Sequence, residues 1–231
     1  MATLRITPWR LAFANAFLIE GRRPVLVDTG PPLARRTLLR RLRRSGLAPA
    51  DLGAVVLTHA HADHVGNAAI FADAGVPVVV GTPDVSTVER GRNPKLQPTG
   101  IEGRLLKPLL QHRFREFAPS NPVPTSLDLS PFGIDGEFRT VGGHTPGSGV
   151  LVTEDAIFAG DLVGGGFFFT TVRRDVATVS LFTPDRPGDL RTLAGLIDEH
   201  RAPRVLVGHG GPLDADTTRR RIDVMLDRLD G

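Results

Sequence analysis

Residues 58–64, THAHADH, concentrate the side chains that could do chemistry in this protein. They include three histidines and one aspartate, namely His59, His61, Asp63 and His64, in a chain with only seven histidines and no cysteine. Imidazole and carboxylate ligands without sulfur suit a catalytic Zn, Mn or Fe site better than a structural zinc site. Because three imidazoles and a carboxylate are costly to bury without a partner, we predict that this segment binds metal.

Three more candidate ligands each follow an apolar run elsewhere in the chain. They are His144 after EFRTVGG, Asp161 at the end of AIFAG and His209 after RVLVG. Strand ends are where sites are assembled in α/β proteins, so we expect these residues to converge on the histidine-rich segment. His112 and His200 belong to no such group, and we interpret them as surface or helix residues.

The candidate ligands are more numerous than one metal needs. A mononuclear catalytic zinc takes three protein ligands, whereas five histidines and two aspartates suffice for two metals that share one carboxylate. Two cations about 3.5–4 Å apart could hold a bridging hydroxide, because metal binding lowers the pKa of water to about 7. Such a centre supplies both a nucleophile and a Lewis acid, so no serine or cysteine nucleophile is required.

Composition excludes several other kinds of site. The absence of cysteine and tyrosine excludes disulfides, thiolate metal sites, cysteine nucleophiles and a phenol as general acid. The formal net charge is only +3, which is weak support for a nucleic-acid partner. We therefore expect a small-molecule substrate and no nucleic-acid partner.

Length and hydropathy favour a single domain over residues 1–231. No apolar run approaches the roughly 20 residues of a membrane span, and the N-terminus has no signal-peptide pattern. We expect a cytoplasmic protein with no membrane association. The sequence leaves the oligomeric state open, with a homodimer among the options.

The elements that must position these residues alternate along the chain. Strands are predicted at LRIT, NAFLIE, PVLVDTG, GAVVLT, VPVVVG, EFRTVGG, GVLVTEDAIFAGD and PRVLVGHGG. Helices are predicted at ARRTLLRRLRRSG, at NAAIFADAG, from Thr82 as N-cap with Pro83 following it, and at about 187–200 and 216–229. Leading strands with interspersed helices fit a layered α/β sandwich better than a doubly wound sheet. The arginines of the first helix indicate a solvated face or, alternatively, a docking surface for an anionic partner.

The motifs together resemble those of the metallo-β-lactamase-fold superfamily. THAHADH matches the HxHxDH signature of that superfamily, and the other motifs occur in their usual order. These are Asp28 in VLVDTG, His144 in GGHTPGS, Asp161 in IFAGD and His209 in LVGHG. The resemblance covers nearly the whole chain and implies an α/β fold built as a four-layer αββα sandwich, with the metals at one edge.

The resemblance also implies a role for each candidate. The first metal would be held by His59, His61 and His144. The second metal would be held by Asp63, His64 and His209, and Asp161 would bridge the two metals. Hydrogen bonds that orient the ligands would come from Asp28, Thr58 and Thr145, since metal-bound imidazoles usually require such partners.

GGHTPGSG followed by a strand resembles the glyoxalase II and lactonase branch in particular. This implies a binuclear metal-dependent hydrolase in which a metal-bridging hydroxide attacks an ester, thioester or lactone carbonyl of a small molecule. Asp63 and Asp161 would be the catalytic carboxylates beside that hydroxide. We expect two divalent metal ions, with zinc first and manganese or iron as alternatives.

Departures from known branches limit the choice of substrate. About 20 residues follow His209, so we do not expect the glutathione-binding domain of glyoxalase II. The tyrosine that lactonases commonly place beside the metals is missing, and Asp161 argues against an antibiotic-hydrolysing β-lactamase. Three alternatives stay open: a persulfide dioxygenase-like oxidoreductase with one iron, a metal-dependent phosphodiesterase, and a non-catalytic metal-binding module.

Substrate contacts are predicted in two segments without motifs. Residues 162–174, LVGGGFFFTTVRR, suggest a flexible loop whose phenylalanines line an apolar pocket beside the metals: Phe167, Phe168 and Phe169. The alternative is that alternate phenylalanines pack a strand into the core. The basic segment 89–121 forms either a lid that meets an acidic substrate group or an ordinary basic surface.

Overall fold

The fold is that of a computed structural model, and the structure describes residues 4–110, 112–167 and 172–230. Phe168 and Phe169, two of the three predicted substrate contacts, therefore lie outside the described residues. Within those ranges the chain forms two six-stranded sheets, one two-stranded hairpin and seven α-helices. None of the helices in this part of the chain is long and apolar enough to cross a membrane.

Strands and helices have the following bounds. The strands are β1 (Arg5–Leu11), β2 (Ala14–Glu20), β3 (Val25–Val27), β4 (Ala54–Val56), β5 (Val78–Gly81), β6 (Asn121–Val123), β7 (Ser126–Asp128), β8 (Gly136–Thr140), β9 (Gly149–Thr153), β10 (Ile157–Gly160), β11 (Val163–Phe167), β12 (Val172–Val179), β13 (Arg204–Val207) and β14 (Leu213–Asp214). The helices are α1 (Arg35–Arg44), α2 (Ala62–Val65), α3 (Ala68–Asp73), α4 (Val85–Glu89), α5 (Gly100–Leu106), α6 (Arg186–His200) and α7 (Ala215–Asp230).

The first sheet contains β1 to β6 in sequence order. β1, β2 and β3 pair antiparallel, whereas β3, β4, β5 and β6 pair parallel. Parallel neighbours end at the same edge of a sheet, so the residues after β3 and β4 meet there. Accordingly, the main-chain N–H of Thr58 donates to Oδ1 of Asp28 at 2.9 Å.

The second sheet has the order β14-β13-β10-β9-β8-β7. β10 and β13 are its parallel neighbours, and this pairing brings Asp161, after β10, close to His209, after β13. The hairpin of β11 and β12 joins the same region, because the N–H of Gly165 donates to the carbonyl of His209 at 2.7 Å. One edge of the second sheet therefore supplies two candidate ligands.

Three separate apolar cores define the layers. One core packs Leu38 and Leu42 of α1 and Phe71 of α3 against the outer face of the first sheet. A middle core joins the two sheets and includes Phe17 and Phe158, whose rings meet edge to face at 5.4 Å.

The third core packs Leu193 and Ile197 of α6 and Ile222 of α7 on the outer face of the second sheet. Because apolar cores lie on both faces of each sheet, the layers run helix, sheet, sheet, helix. The predicted four-layer αββα sandwich is confirmed.

Two local predictions differ from the structure. Thr82 does not cap a helix: it begins a 3-10 turn, Thr82–Asp84, and α4 starts only at Val85. The tight turn directs the carboxylate of Asp84 inward, where it accepts hydrogen bonds from two loops.

Residues 163–167 and 172–179 form paired strands where a flexible loop was predicted. The glycines of β11 permit a close approach that larger residues would prevent, since a Cβ at Gly165 would lie 2.4 Å from the nitrogen of Gly211. A glycine run therefore resembled a loop in the sequence although it forms a strand packed tightly on its neighbour.

Candidate metal centre

Three histidines converge from the two sheets, and we call them the histidine triad: His59, His61 and His144. The first two follow β4 and the third follows β8, and each is at most 6% exposed. Nε2 of His144 lies 3.0 Å from Nδ1 of His61, and the His59 ring centroid is 4.8 and 4.6 Å from the other two. Two nitrogens bound tetrahedrally to zinc at 2.0–2.1 Å are about 3.3 Å apart, so the triad has the spacing for one metal.

A second group consists of Asp63, His64 and His209. Asp63 and His64 belong to α2, and His209 comes from the end of β13. Nε2 of His209 lies 3.2 Å from Oδ2 of Asp63 and 3.4 Å from Nε2 of His64. These distances also match ligands around a single metal.

Asp161 lies between the two groups. Its Oδ2 is 3.2 Å from Nε2 of His209 and 3.8 Å from Nε2 of His144, and its Oδ1 is 3.6 Å from Nε2 of His64. One carboxylate thus approaches ligands of both groups. The structure brings together all seven residues that the sequence analysis proposed as ligands.

The fit of metals to these residues can be judged from atoms that lack partners. Nε2 of His59 and Oδ1 of Asp161 are buried and accept or donate no hydrogen bond among the described residues. A buried polar group without a partner costs about 1–3 kcal/mol. Both residues belong to clusters whose ligand atoms lie within 4.8 Å of one another, so a coordinated cation would supply the missing partner and the donor set fits two divalent metals.

The two groups differ in the direction in which the pKa values of their histidines are shifted. Burial, and after it the neighbouring imidazoles, lower the pKa of His59. Burial also lowers the pKa of His61, and it lowers the pKa of His144 to about 3. The triad is therefore neutral and ready to coordinate a metal.

The second group has the opposite pattern. Burial alone would lower the pKa of His209, but the carboxylates of Asp161 and Asp63 outweigh burial and raise it to about 10. Burial is likewise outweighed at His64, where Asp161 and Asp28 raise the pKa well above its ordinary value. Without metal, protonated imidazoles neutralise the carboxylates there, so metal binding must displace protons.

Asp28 orients the ligands that follow β4. Its Oδ2 accepts from Nδ1 of His64 at 2.8 Å and from Oγ1 of Thr58 at 2.8 Å. Oγ1 of Thr58 in turn lies 3.1 Å from Nδ1 of His59. With Nδ1 of each ring engaged, Nε2 of His59 and of His64 remains available for metal.

Two further orienting groups were missed in the sequence. Oγ of Ser180, after β12, lies 3.1 Å from Nδ1 of His144, and the carbonyl of Phe13 lies 3.0 Å from Nδ1 of His209. The Phe13 ring also stacks on the His209 ring, with centroids 6.0 Å apart. Neither residue lies in a motif, and a main-chain carbonyl leaves no signal in a sequence.

Thr145 acts through a third missed residue, Asp84. Oγ1 of Thr145 donates to Oδ2 of Asp84 at 2.7 Å, and the carboxylate also accepts from the N–H groups of Ala60 and Gly147, both at 2.9 Å. Asp84 thus ties the loop of His59 and His61 to the loop of His144. Glycine is needed in the second loop, because a Cβ at position 147 would lie 2.6 Å from Cγ of Asp84.

Comparison with known proteins decides the family. A sequence model of the metallo-beta-lactamase superfamily matches residues 9–216 of the chain. The chain belongs to the metallo-beta-lactamase superfamily. The resemblance inferred from its motifs is therefore confirmed at the level of the superfamily, while the glyoxalase II and lactonase branch stays a prediction.

Relatives within the superfamily are similar to this chain to different extents. Metallo-beta-lactamase domain-containing protein 1 of Xenopus laevis is 49% identical over 67 residues, but the match spans only 29% of this chain and 29% of that protein. The probable metallo-hydrolase MJ0888 of Methanocaldococcus jannaschii is 23% identical over 198 residues, covering 85% of this chain and 87% of that protein. The structure of TTHA1623 in a di-iron-bound form superimposes with a TM-score of 0.63 at 25% identity, covering 94% and 97% of the two chains.

The candidate metal centre is open to solvent on one side. The side chains of Asp63 and His209 are 22% exposed and that of Asp161 is 11% exposed, whereas the histidine triad is buried. Solvent and substrate can therefore reach the centre from the side of the second group.

Phe167, at the end of β11, is 40% exposed and does not pack into a core. Its hairpin is attached to the metal centre by the hydrogen bond from Gly165 to the carbonyl of His209. Whether this phenylalanine contacts substrate remains a prediction, and the same holds for Phe168 and Phe169 outside the described residues.

The basic segment forms a cavity of about 360 Å³, which we call the basic cavity. Among the described residues, its lining includes four basic side chains and no acidic one: Arg92, Lys95, Lys107 and His112. Asn93, also in the lining, accepts from the N–H of Ala62 at 2.7 Å, next to the ligand His61. The segment is thus attached directly to a ligand loop.

Proposed function

We propose that this protein is a binuclear metal-dependent hydrolase that cleaves an ester, thioester or lactone bond of a small molecule. The position of Asp161 between the two ligand groups is the observation that carries this proposal. Zinc is the metal we expect, and the di-iron form of a structural neighbour supports iron as the main alternative. When bound, the two metals would polarise the scissile carbonyl and lower the pKa of a water molecule.

The residues of the chain prepare the site in three ways. The buried histidine triad excludes water from one side and stays neutral, so it is available as a ligand set at neutral pH. Asp161 holds the two groups at a fixed separation. Asp63 and Asp161 are the carboxylates on the open side, where they would accept a hydrogen bond from the attacking water and hold it toward the carbonyl.

The basic cavity supports a substrate that carries an acidic group. Lys95, Lys107 and Arg92 form no ion pair with an acidic side chain in the described ranges, so their side chains are available to a ligand. The hydrogen bond from Ala62 to Asn93 fixes this cavity relative to the metal centre. A carboxylate or phosphate on the substrate would therefore position the scissile bond.

The experiment is metal analysis combined with a substrate panel. Protein purified without chelator is assayed for bound metal and for hydrolysis of thioesters, lactones, carboxylic esters and phosphate diesters. Two metals per chain with cleavage of carbonyl substrates is the expected result. Cleavage of only the diesters would replace the proposal by a phosphodiesterase, and one iron with oxygen uptake would replace it by a dioxygenase.

A protein that binds fewer than about one metal per chain would overturn the proposal altogether, leaving a non-catalytic module. The Asp161→Asn variant tests the role of this carboxylate, because it removes the charge and keeps the shape of the side chain. We expect this variant to lose at least about a hundredfold in kcat/KM.

A further inference from the structure

A second cavity lies at the edge of the sandwich, and its lining includes Gly210, which follows the candidate ligand His209 in the chain. It has a volume of about 200 Å³ and lies between the β1–β2 hairpin, β13 and the start of β12. None of the metal ligands lines it. Its most distinctive residues are two arginines, Arg10 of β1 and Arg174 of β12, and we call it the arginine cavity.

The two guanidinium groups have no anionic side chain as a partner within residues 4–110, 112–167 and 172–230. Neither Arg10 nor Arg174 forms an ion pair with an acidic side chain among the residues that the structure describes. Nη2 of Arg174 donates to the carbonyl of Gly210 at 3.2 Å, but its Nε is buried and has no hydrogen-bond partner in this part of the chain. Burial and the nearby charge of Arg10 lower the pKa of Arg174, so the two cations repel each other.

The rest of the cavity is mostly apolar. In the antiparallel register Pro8 lies opposite Phe17 and Arg10 lies opposite Asn15, so these four side chains share one face of the hairpin. All four line the cavity. An apolar surface beside two unpaired cations suits a molecule with an anionic head and an apolar body.

Hydrogen bonds hold the walls in place. Nδ2 of Asn15 donates to the carbonyls of Val207 and Gly210, both at 2.8 Å. The N–H of Gly211 donates to the carbonyl of Arg174 at 2.9 Å. The cavity is therefore formed before any ligand arrives, which lowers the entropy cost of binding.

We propose that the arginine cavity binds a small organic anion. Its carboxylate or phosphate head lies between Arg10 and Arg174, where planar guanidinium groups form paired hydrogen bonds with either oxyanion. Its apolar body rests against Pro8 and Phe17. The anion supplies an acceptor to the unpaired Nε of Arg174 and separates two charges that otherwise repel.

The test is calorimetric titration of the full-length, metal-loaded protein with four probes: benzoate, phenyl phosphate, inorganic phosphate and the neutral benzyl alcohol. We expect saturable binding of benzoate or phenyl phosphate, at least about tenfold weaker binding of inorganic phosphate and no binding of benzyl alcohol. Which of the two organic anions binds more tightly identifies the head group. Equal binding of inorganic and phenyl phosphate would overturn the assignment of an apolar body.

Variants locate the site. Arg10→Gln and Arg174→Gln are each expected to weaken binding about tenfold or more, since each removes one charge-assisted contact. Arg173→Gln is the matched control, because this exposed neighbour does not line the cavity. Arg10 is exposed on its strand, so Arg10→Gln tests the site even if Arg174→Gln disturbs the contact with Gly210. Unchanged binding in Arg10→Gln would overturn the proposal, because the anion would then bind elsewhere, such as at the metals.

Discussion

Oδ2 of Asp28 lies 2.8 Å from Nδ1 of His64, and neither side chain is more than 2% exposed. The aspartate follows β3 and the histidine belongs to α2, so the contact depends on the parallel pairing of β3 with β4. A carboxylate behind a ligating imidazole fixes the tautomer and raises the basicity of the other nitrogen. Against the effect of burial, Asp161 and then Asp28 raise the pKa of His64 above its ordinary value, so this contact also favours the protonated ring when no metal is bound.

Asp28→Asn is expected to weaken binding of the second metal about 10- to 100-fold, because an amide orients His64 less firmly and donates less charge to it. Zinc titration against a competing chelator measures the two affinities. Asp51→Asn is the control, since Asp51 is exposed and caps only a 3-10 turn. Equal affinities in Asp28→Asn and in the unaltered protein would show that the contact has no influence on the metal.

His209→Ala is expected to lower the metal content from two ions per chain to about one, because the histidine triad does not include His209. Elemental analysis of the purified variant gives the stoichiometry. His200→Ala is the matched control, since His200 lies on α6 outside the ligand groups, and it should keep both metals. Two metals retained in His209→Ala would mean that the second group is assigned incorrectly.

Asp84→Ala is expected to lower the free energy of unfolding of the metal-free protein by about 3 kcal/mol, because two buried N–H donors and a hydroxyl lose their acceptor. Urea denaturation measures the change. Asp135→Ala serves as the comparison, being an exposed aspartate in the same fold. A loss below about 1 kcal/mol would show that water replaces the carboxylate at little cost.

Asp189 is buried under the loop of His144, and we predict that its titration makes the free energy of unfolding depend on pH. Burial raises the pKa of Asp189 to about 7 from its ordinary value of 3.8. Between these two values the folded chain binds more protons than the unfolded chain, so the free energy of unfolding falls as the pH rises from about 4 to 7.

Asp189→Asn keeps an acceptor for the hydroxyl of Thr183 and removes the titration. Denaturation of the metal-free variant at several pH values should therefore give a flatter profile in this range, with a gain of about 1 kcal/mol or more at pH 7. Asp198→Asn, an exposed change on α6, should leave the profile as it is. Parallel profiles for Asp189→Asn and the unaltered protein would contradict the prediction.

The basic cavity predicts selectivity for acidic substrates. Lys95→Gln combined with Lys107→Gln is expected to raise KM about tenfold for an ester that carries a carboxylate, with little change in kcat, because the lost contact is the same before and during reaction. A neutral ester of the same alcohol should show no change. Arg104→Gln is the control, since Arg104 lies on α5 outside the lining. A similar rise in KM for both esters would indicate that the lysines support structure instead of selecting charge.

The pairing of β11 with β12 could not be predicted from the sequence. β11 contains three glycines, a composition typical of loops, and the close approach of the loop after His209 explains why glycine is required at position 165 of this strand. The same holds for the basic segment. Its charges can be read from the sequence, but the hydrogen bond from Ala62 to Asn93, which attaches it to a ligand loop, cannot.

The sequence by itself determined the types of the candidate ligands and the resemblance to the superfamily, which in turn implied the layered fold, because motif spacing is a local property of the chain. The tertiary structure decided which ligands meet, since Asp161 approaches both His144 and His209 only through the order of strands in the second sheet. It also decided the supporting contacts of Ser180 and of the Phe13 carbonyl. Such partners are chosen by strand register and loop packing between distant residues, and main-chain atoms are the same at every position of a sequence.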